Sequence, residues 1–493
     1  MPQEAKRSMG VFVLHAGQPE LARFLGRLQV PAGTAPPRPN DGRSAWTVVS
    51  FRGDAKPIRM PGGAGGPMQP AAAVRRASDA RRAAEDLRRH GIRTAPSAKD
   101  ERGTIHRTFV VPVFGLDALG SFASGAVGGP MLAAGTLRRP QVPEPRGDND
   151  ADAPRPTAQR RAERAAVRAV YALGLDYGVV RVRTGEDGAA YVVSVDASPL
   201  VAAGEFAPLF ASAVNRLQEA EDAAARAGEG GGTLLLGMDP EFVLKKPGPE
   251  GKIVSASRYF ERRGRVGCDS VRIGDKIVYP LAELRPSPAA EPRELLRNLY
   301  AAMRLAASRI DDVSLEWLAG GMPAPGLPLG GHIHVSGVAL NADLLRAMDN
   351  YMALPLALLE DEPTKRRRPR YGALGDFRRQ FHGGFEYRTL PSWIVSPAVA
   401  LGVISLAKVV CEHVRELRER PLARPELQAA YYAGDKETLL PAALARWSEL
   451  ERTAGYARYA KALDGLKRRI ERAEPWNERQ DVRPAWKIPP YRV

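Results

Sequence analysis

Cysteine is nearly absent: Cys268 and Cys411 are the only two in 493 residues, far apart and outside any CxxC spacing. That excludes a disulfide framework and a thiolate zinc site, and it fits a reducing compartment. Histidine is scarce too, seven in all, so two that fall together carry information. Long apolar runs are missing. The nearest, Trp393 to Ala407, contains Pro397 and stops at Lys408, which reads as a buried core helix rather than a membrane span. The apolar stretch within MPQEAKRSMGVFVLHAG is too short for a secretory leader and no cleavage pattern follows. A cytoplasmic protein with no membrane partner is the expectation. There is no repeat of fixed period.

The composition, 44% hydrophobic and 26% charged, is that of a globular protein, while 48 Gly and 42 Pro imply long irregular stretches. The length calls for two domains. A formal charge of +16 favours anionic partners without choosing among nucleic acid, phosphates and carboxylates. In the first half, GVFVLHA at 10–16 and WTVVSF at 46–51 read as short buried strands. VVRVR at 179–183 and YVVSVD at 191–196, joined by TGEDG, read as a hairpin. The Pro-, Arg- and Asp-rich stretch 138–161 has almost nothing to bury and is expected to be mobile. PGGAGGP at 61–67 lacks the GK[ST] ending of a phosphate loop and reads as a flexible loop. GEGGG interrupts both periodicities. The division expected is therefore a domain over 1–228, a linker at 229–233, a catalytic domain over 234–420, and C-terminal helices with a docking tail over 421–493. In that tail Trp476 and Trp486 stand in polar sequence.

Four i, i+2 pairs are the informative feature of the second half: Asp239 and Glu241, Glu283 and Arg285, His332 and His334, Glu386 and Arg388. On a strand this spacing puts both side chains on one face, with Leu284, Ile333 and Tyr387 on the other. Any one such pair is more often a surface ion pair than a site. Four at strand spacing, beside Pro240, Pro286, Gly331 and Gly383, point to a cation site with anion contacts nearby. Carboxylate with imidazole and no thiolate favours Mg²⁺ or Mn²⁺. Arginine forks suit phosphate or carboxylate oxygens. TKRRRPRYGALGDFRRQFHGG, holding Arg367, Arg368, Arg370, Tyr371, Arg378 and His382, is a candidate loop for a nucleotide's phosphates.

In order along the chain, GMDPEF, GCDS, AELRPSP, GGHIHVSG, RRPRYGALGDFR and FEYRTLPSW resemble the phage-like carboxylate-amine (COOH-NH2, type 2) ligases. The resemblance covers about 234–400 and implies an α+β fold with an antiparallel sheet of the glutamine synthetase and glutamate-cysteine ligase kind. It implies ATP and Mg²⁺ or Mn²⁺ as cofactors, and a carboxylate substrate (amino acid or peptide) joined to an amine through an acyl phosphate. Asp239, Glu241, Glu283, His334 and Glu386 become candidate metal ligands, with His332 a ligand or a support to one. Arg285, Arg370, Arg378 and Arg388 become candidate phosphate contacts, joined by Arg367 and Tyr371 on the nucleotide side. Glu241, Glu283, Arg285, Glu386 and Arg388 are the expected catalytic set.

HRTFVVPVFGLDAL and RAAVRAVYALGLDYGVVRVRTGEDGAAYVVSVDASP in the first half resemble the later part of a spore-coat-associated ATP-grasp domain. Arg181, Ser194 and Asp196 stand where that family places its magnesium ligands, and an arginine there is hostile to a cation. A degenerate, non-catalytic ATP-grasp-like α/β domain is the expectation. Two other functions compete with the ligase. A metal-dependent hydrolase explains the acids and imidazoles but leaves the arginines without a role. A basic nucleic-acid-binding scaffold is disfavoured because the 365–370 run has no interleaved aromatics. Related folds often assemble, so a homo-oligomer is possible.

Overall fold

The computed structural model describes residues 9–37, 45–53, 68–94, 107–124, 137–138, 157–185, 188–227 and 233–491. PGGAGGP, the turn residues Glu186 and Asp187, most of the 138–161 stretch and all of GEGGG lie outside them. The chain divides into two compact units, Met1–Gly231 and Gly232–Val493. The architecture is α+β with antiparallel sheets in both.

In the first unit, β1 (Met9–His15) pairs in parallel with β2 (Ala32–Gly33) and β3 (Ala45–Phe51). A six-stranded antiparallel sheet holds β4 (Arg107–Phe114), β5 (Asp117–Ala118), β6 (Phe122–Ser124), β7 (Leu137–Arg138), β8 (Tyr177–Thr184) and β9 (Ala190–Asp196). β8 and β9 form the expected hairpin. The helix Thr157–Ala172 lays Ala162, Ala166, Ala169 and Val170 against Val111, Val180 and Val182 of this sheet. Small residues on that helix let it approach the β-branched face closely. Arg181 lies in register with Ser194, and Asp196 Oδ1 accepts the N–H of Ser198 at 2.9 Å.

The second unit carries two antiparallel sheets. One has the order β10 (Leu235–Met238), β16 (Ile333–Ser336), β18 (Phe385–Tyr387), β17 (Phe377–Arg379). The other has β12 (Ile253–Val254), β11 (Glu241–Lys245), β14 (Lys276–Leu284) and β13 (Val266–Ile273), with β15 (Glu316–Leu318) also on β11. The apolar run through LLLGMDPEFVL reads in the sequence as one strand that opens the second half; the structure makes it two. Pro240 has no N–H for a ladder and holds Asp239 in an extended conformation, so the chain leaves one sheet and enters the other there. The helix Pro397–Glu412 is buried along nearly its whole length, from Val399 to Cys411 apart from Leu401. No helix of the described residues is long and apolar enough to cross a membrane.

The tail returns to the body of this unit. Trp476 N–H donates to Leu359 O at 2.9 Å, Val482 N–H to Trp317 O at 3.0 Å, and the Trp486 indole to Ile394 O at 2.8 Å. Burying two indoles whose N–H groups find acceptors is a favourable use of large amphipathic side chains. Arg483 packs with the tail: it clasps Asp481 and donates to Val313 O.

Candidate active site at the meeting of two sheets

Strand register assembles the site. On the first sheet Gly237 faces His334, His334 faces Glu386, and Glu386 faces Arg378, a row across all four strands. On the second, Glu241 faces Glu283 and Glu283 faces Gly267. Asp239, at the crossing between sheets, stands between the two rows. Each i, i+2 pair straddles a strand end rather than lying within a strand: Asp239, His332, Arg285 and Arg388 fall just outside β11, β16, β14 and β18. The alternate residues Leu284, Ile333 and Tyr387 are buried on the opposite side. There the Tyr387 hydroxyl donates to Asp349 Oδ1 at 2.7 Å and fixes β18 from behind.

His332 Nδ1 is 3.0 Å from both Asp239 Oδ1 and Glu386 Oε1, and His334 Nε2 is 3.1 Å from Asp239 Oδ2. Yet Asp239 Oδ1, His332 Nδ1, His334 Nε2 and Glu386 Oε1 are all buried with no hydrogen bond of sound geometry. Buried polar atoms that crowd together without bonding one another are the pattern expected around a cation. Asp239, His334 and Glu386 each bring one ligand atom, all within 4.8 Å of one another. An oxygen and nitrogen set at that spacing suits a small hard divalent ion with bonds of about 2.1 Å.

Glu386 is also the meeting point of guanidiniums. Arg388 Nε lies 3.0 Å from its Oε1, while Arg378 Nε donates to Oε2 at 2.6 Å and Gln380 to the same oxygen at 3.0 Å. Burial opposes ionisation of Glu386, but the His332 imidazole and Arg378 outweigh it and hold the carboxyl below its ordinary range. Asp239 is held low against the same burial by His332 and His334. His332 is the counterpart: burial disfavours its charge, and Asp239 and Glu386 nonetheless raise it to about 10. On the second sheet, burial lifts Glu241 to about 7 against the pull of His332, and burial with the Asp239 charge lifts Glu283 to about 8 against Arg285. Glu241 Oε2 accepts the Gly330 N–H at 2.6 Å, and Arg285 ion-pairs with Glu283.

The basic loop divides. Arg367, expected among the nucleotide contacts, is a scaffold residue: it is buried and donates to Thr389 O at 2.8 Å and Leu390 O at 2.9 Å, pinning the chain just after Arg388. Arg368 is buried against Glu360 and Tyr431. A guanidinium buried in the interior and turned toward backbone carbonyls is not presented to a nucleotide's phosphates. Arg370 and Tyr371 are exposed, the guanidinium 5.4 Å from the neighbouring ring; among the described residues neither hydrogen-bonds to the carboxylate–imidazole cluster. Sequence reasoning passed over Gln380, whose only signal is its place two residues beyond Arg378, and Glu478, which lies between the two tail tryptophans.

The model of the phage phiEco32-like COOH.NH2 ligase-type 2 family matches residues 236–488, just over half of the chain, and takes in both rows. No curated protein matches. Among solved structures, a bifunctional glutathione synthetase from Pasteurella multocida is 12% identical with a TM-score of 0.31, over 49% of this chain and 48% of that one. The chain thus spans about half the length of that synthetase. An L-amino acid ligase from Bacillus licheniformis is 13% identical with a TM-score of 0.27, over 61% of this chain and 98% of that one. GmaS with ADP is 14% identical with a TM-score of 0.27, over 57% and 78%. Likeness at that level leaves function to the chain's own residues. With the family's match running through both rows of site residues, the chain belongs to the phage phiEco32-like COOH.NH2 ligase-type 2 family.

Proposed function

We propose that the second unit joins a carboxylate to an amine at the expense of ATP, through an acyl phosphate. The observation that carries this reading is the convergence on buried Glu386 of the candidate cation donors from one side and two arginines, Arg378 and Arg388, from the other. Phosphoryl transfer needs charge stabilisation and positioning more than it needs a nucleophile from the protein. A substrate carboxylate oxygen attacks the γ-phosphorus and ADP leaves. The amine nitrogen then attacks the acyl carbon, phosphate leaves, and the ammonium proton passes to a base. Mg²⁺ or Mn²⁺, held by Asp239, His334 and Glu386 with His332 in support, would offset phosphate charge. Arg378 and Arg388 present guanidinium edges to the same oxygens, and Glu386 orients both. Glu241, Glu283 and Arg285 adjoin on the second sheet, where the carboxylate substrate is expected. The first unit, with Arg181 and Ser194 in register, is read as non-catalytic.

A hydrolase has no use for the paired arginines. A nucleic-acid scaffold loses Arg367 and Arg368 of its basic run to the interior. The test is ADP release by the full chain with Mg²⁺-ATP, pooled acids and pooled amines, with mass spectrometry of products, for wild type, Glu386→Gln and Arg388→Ala. Acid-dependent ADP release and a condensation product, lost in both variants, supports the ligase. Turnover of a substrate without nucleotide, or full activity in both variants, overturns it.

A further inference from the structure

A second arginine cluster lies at the other end of the acid rows. A pocket of about 270 Å³ is lined by Arg262, Arg263, Arg285, Cys268 and Asp269. It opens beside Glu283: Arg285 pairs with that carboxylate, and Gly267, in register with it, is the residue before Cys268. Gly267 leaves room for the Arg285 guanidinium where it stands: a Cβ there would lie 2.2 Å from Arg285 Nη1 and displace it. Arg262 lies 5.3 Å over the Tyr279 ring, and among the described residues neither Arg262 nor Arg263 is ion-paired. Asp269 is close enough for its charge to act on Glu283 and Glu241, and its Oδ1 accepts the N–H of Ser270 at 2.7 Å.

Three guanidiniums and one carboxylate around one small cavity do not suit a polyphosphate, which Asp269 would repel. They suit a zwitterion: a carboxylate toward the arginines and an ammonium toward Asp269. The nucleotide has its counterpart at the opposite end, where Arg378 and Arg388 meet Glu386. An anion held by Arg262 and Arg263 would be a different group from the one that reacts at the acid rows. Resting on the ligase reading above, we infer that the pocket holds the α-amino and α-carboxylate groups of the carboxylate substrate, which is therefore an acidic α-amino acid with a second carboxyl as the reacting group.

Binding, measured by calorimetry on the full chain with Mg²⁺ and a non-hydrolysable ATP analogue, separates the cases. The probes are L-glutamate, L-aspartate, glutarate and butyrate. An acidic amino acid is expected to bind at least tenfold more tightly than butyrate, and Arg262→Ala with Arg263→Ala to weaken it at least tenfold while analogue affinity stays within twofold. Both residues are exposed, so folding is not at stake. Asp269→Asn is expected to weaken L-glutamate and leave glutarate unchanged. Butyrate binding as well as the diacids, no diacid binding where the analogue binds, or a double variant that loses the analogue instead of the acid, overturns the inference. In the ADP-release assay, turnover of monocarboxylates by the double variant at the wild-type rate sinks this inference and leaves the ligase reading standing. A wild type that neither binds the analogue nor releases ADP with any acid sinks both.

Discussion

Glu478→Ala removes an anchor of the loop that carries Gly330 to Glu241. Glu478 is 1% exposed, and its carboxylate accepts from Gly321 N–H at 2.7 Å, Met322 N–H at 2.8 Å, the Trp476 indole at 3.1 Å and the Thr364 hydroxyl. Among the described residues no lysine or arginine pairs with it, so hydrogen bonds alone hold a buried acid. Gly320 takes φ +116°, and a Cβ there would stand 2.3 Å from Glu478 Cγ, so the loop is shaped around this side chain. Alanine leaves two backbone donors, an indole and a hydroxyl without partners. At about 1–3 kcal/mol for each buried donor left unsatisfied, and allowing for partial relaxation, a loss of about 3–5 kcal/mol is expected. Glu478→Gln keeps one acceptor oxygen and is expected to cost about half of that. The damage reaches the site through the loop: Leu329 N–H donates to Gly321 O at 2.9 Å, and Gly330 N–H holds Glu241 at 2.6 Å. Urea denaturation gives the stability, and hydrogen exchange reads loop 319–331 and tail 476–488. Alanine within about 1 kcal/mol of wild type, with exchange unchanged in both segments, would refute the clamp.

Gly267→Ala places a Cβ against Arg285 and is expected to cut acid-dependent ADP release at least tenfold with the fold intact by circular dichroism; unchanged turnover removes Arg285 from the chemistry. In EDTA, Glu241→Gln should be the more stable protein at pH 8. Burial raises the folded Glu241 to about 7 from 4.5, so the neutral form is favoured in the folded state, and wild type loses stability as pH climbs from 4.5 to 7. At about 1.4 kcal/mol per tenfold in proton affinity the limit is ~3.5 kcal/mol, present at pH 8 and absent at pH 4.5. A pH-independent difference between the two proteins in chemical denaturation contradicts this. Mn²⁺ or Mg²⁺ at a hundredfold over its Kd is expected to stabilise wild type by about 2.7 kcal/mol and Asp239→Asn hardly at all. A wild-type unfolding temperature indifferent to EDTA argues against the cation site. Arg367→Ala is expected to lower stability by about 2–3 kcal/mol through the orphaned carbonyls of Thr389 and Leu390, with the KM for ATP within twofold. A large rise in that KM at wild-type stability would return Arg367 to the nucleotide.

What the chain disclosed and what it concealed follow from the range of the forces involved. Spacing is local, so the four i, i+2 pairs and the buried alternates Leu284, Ile333 and Tyr387 were legible. Register is not local: nothing in AELRP says that Glu283 will face Glu241, or in GGHIHVSG that His334 will face Glu386. The break at Asp239 was written in Pro240, but a run of apolar residues on both sides read as one strand, because hydrophobic patterning cannot tell one sheet from two. The basic run shows the limit most sharply. Arg367 and Arg370 are three residues apart in the same polar stretch, yet one is buried and the other exposed. What separates them is the position of two carbonyls more than twenty residues away, at Thr389 and Leu390. Charge patterning marks where guanidiniums are plentiful; only the fold decides which of them retain free donors. By the same logic Arg262 and Arg263, unremarkable in ERRGRVGCDS, become a candidate anion site once β13 and β14 bring them to Arg285 and Asp269. Two arginine clusters at opposite ends of the acid rows match the proposed arrangement, in which a phosphoryl donor is held at one end and the non-reacting α-carboxylate of its acceptor at the other.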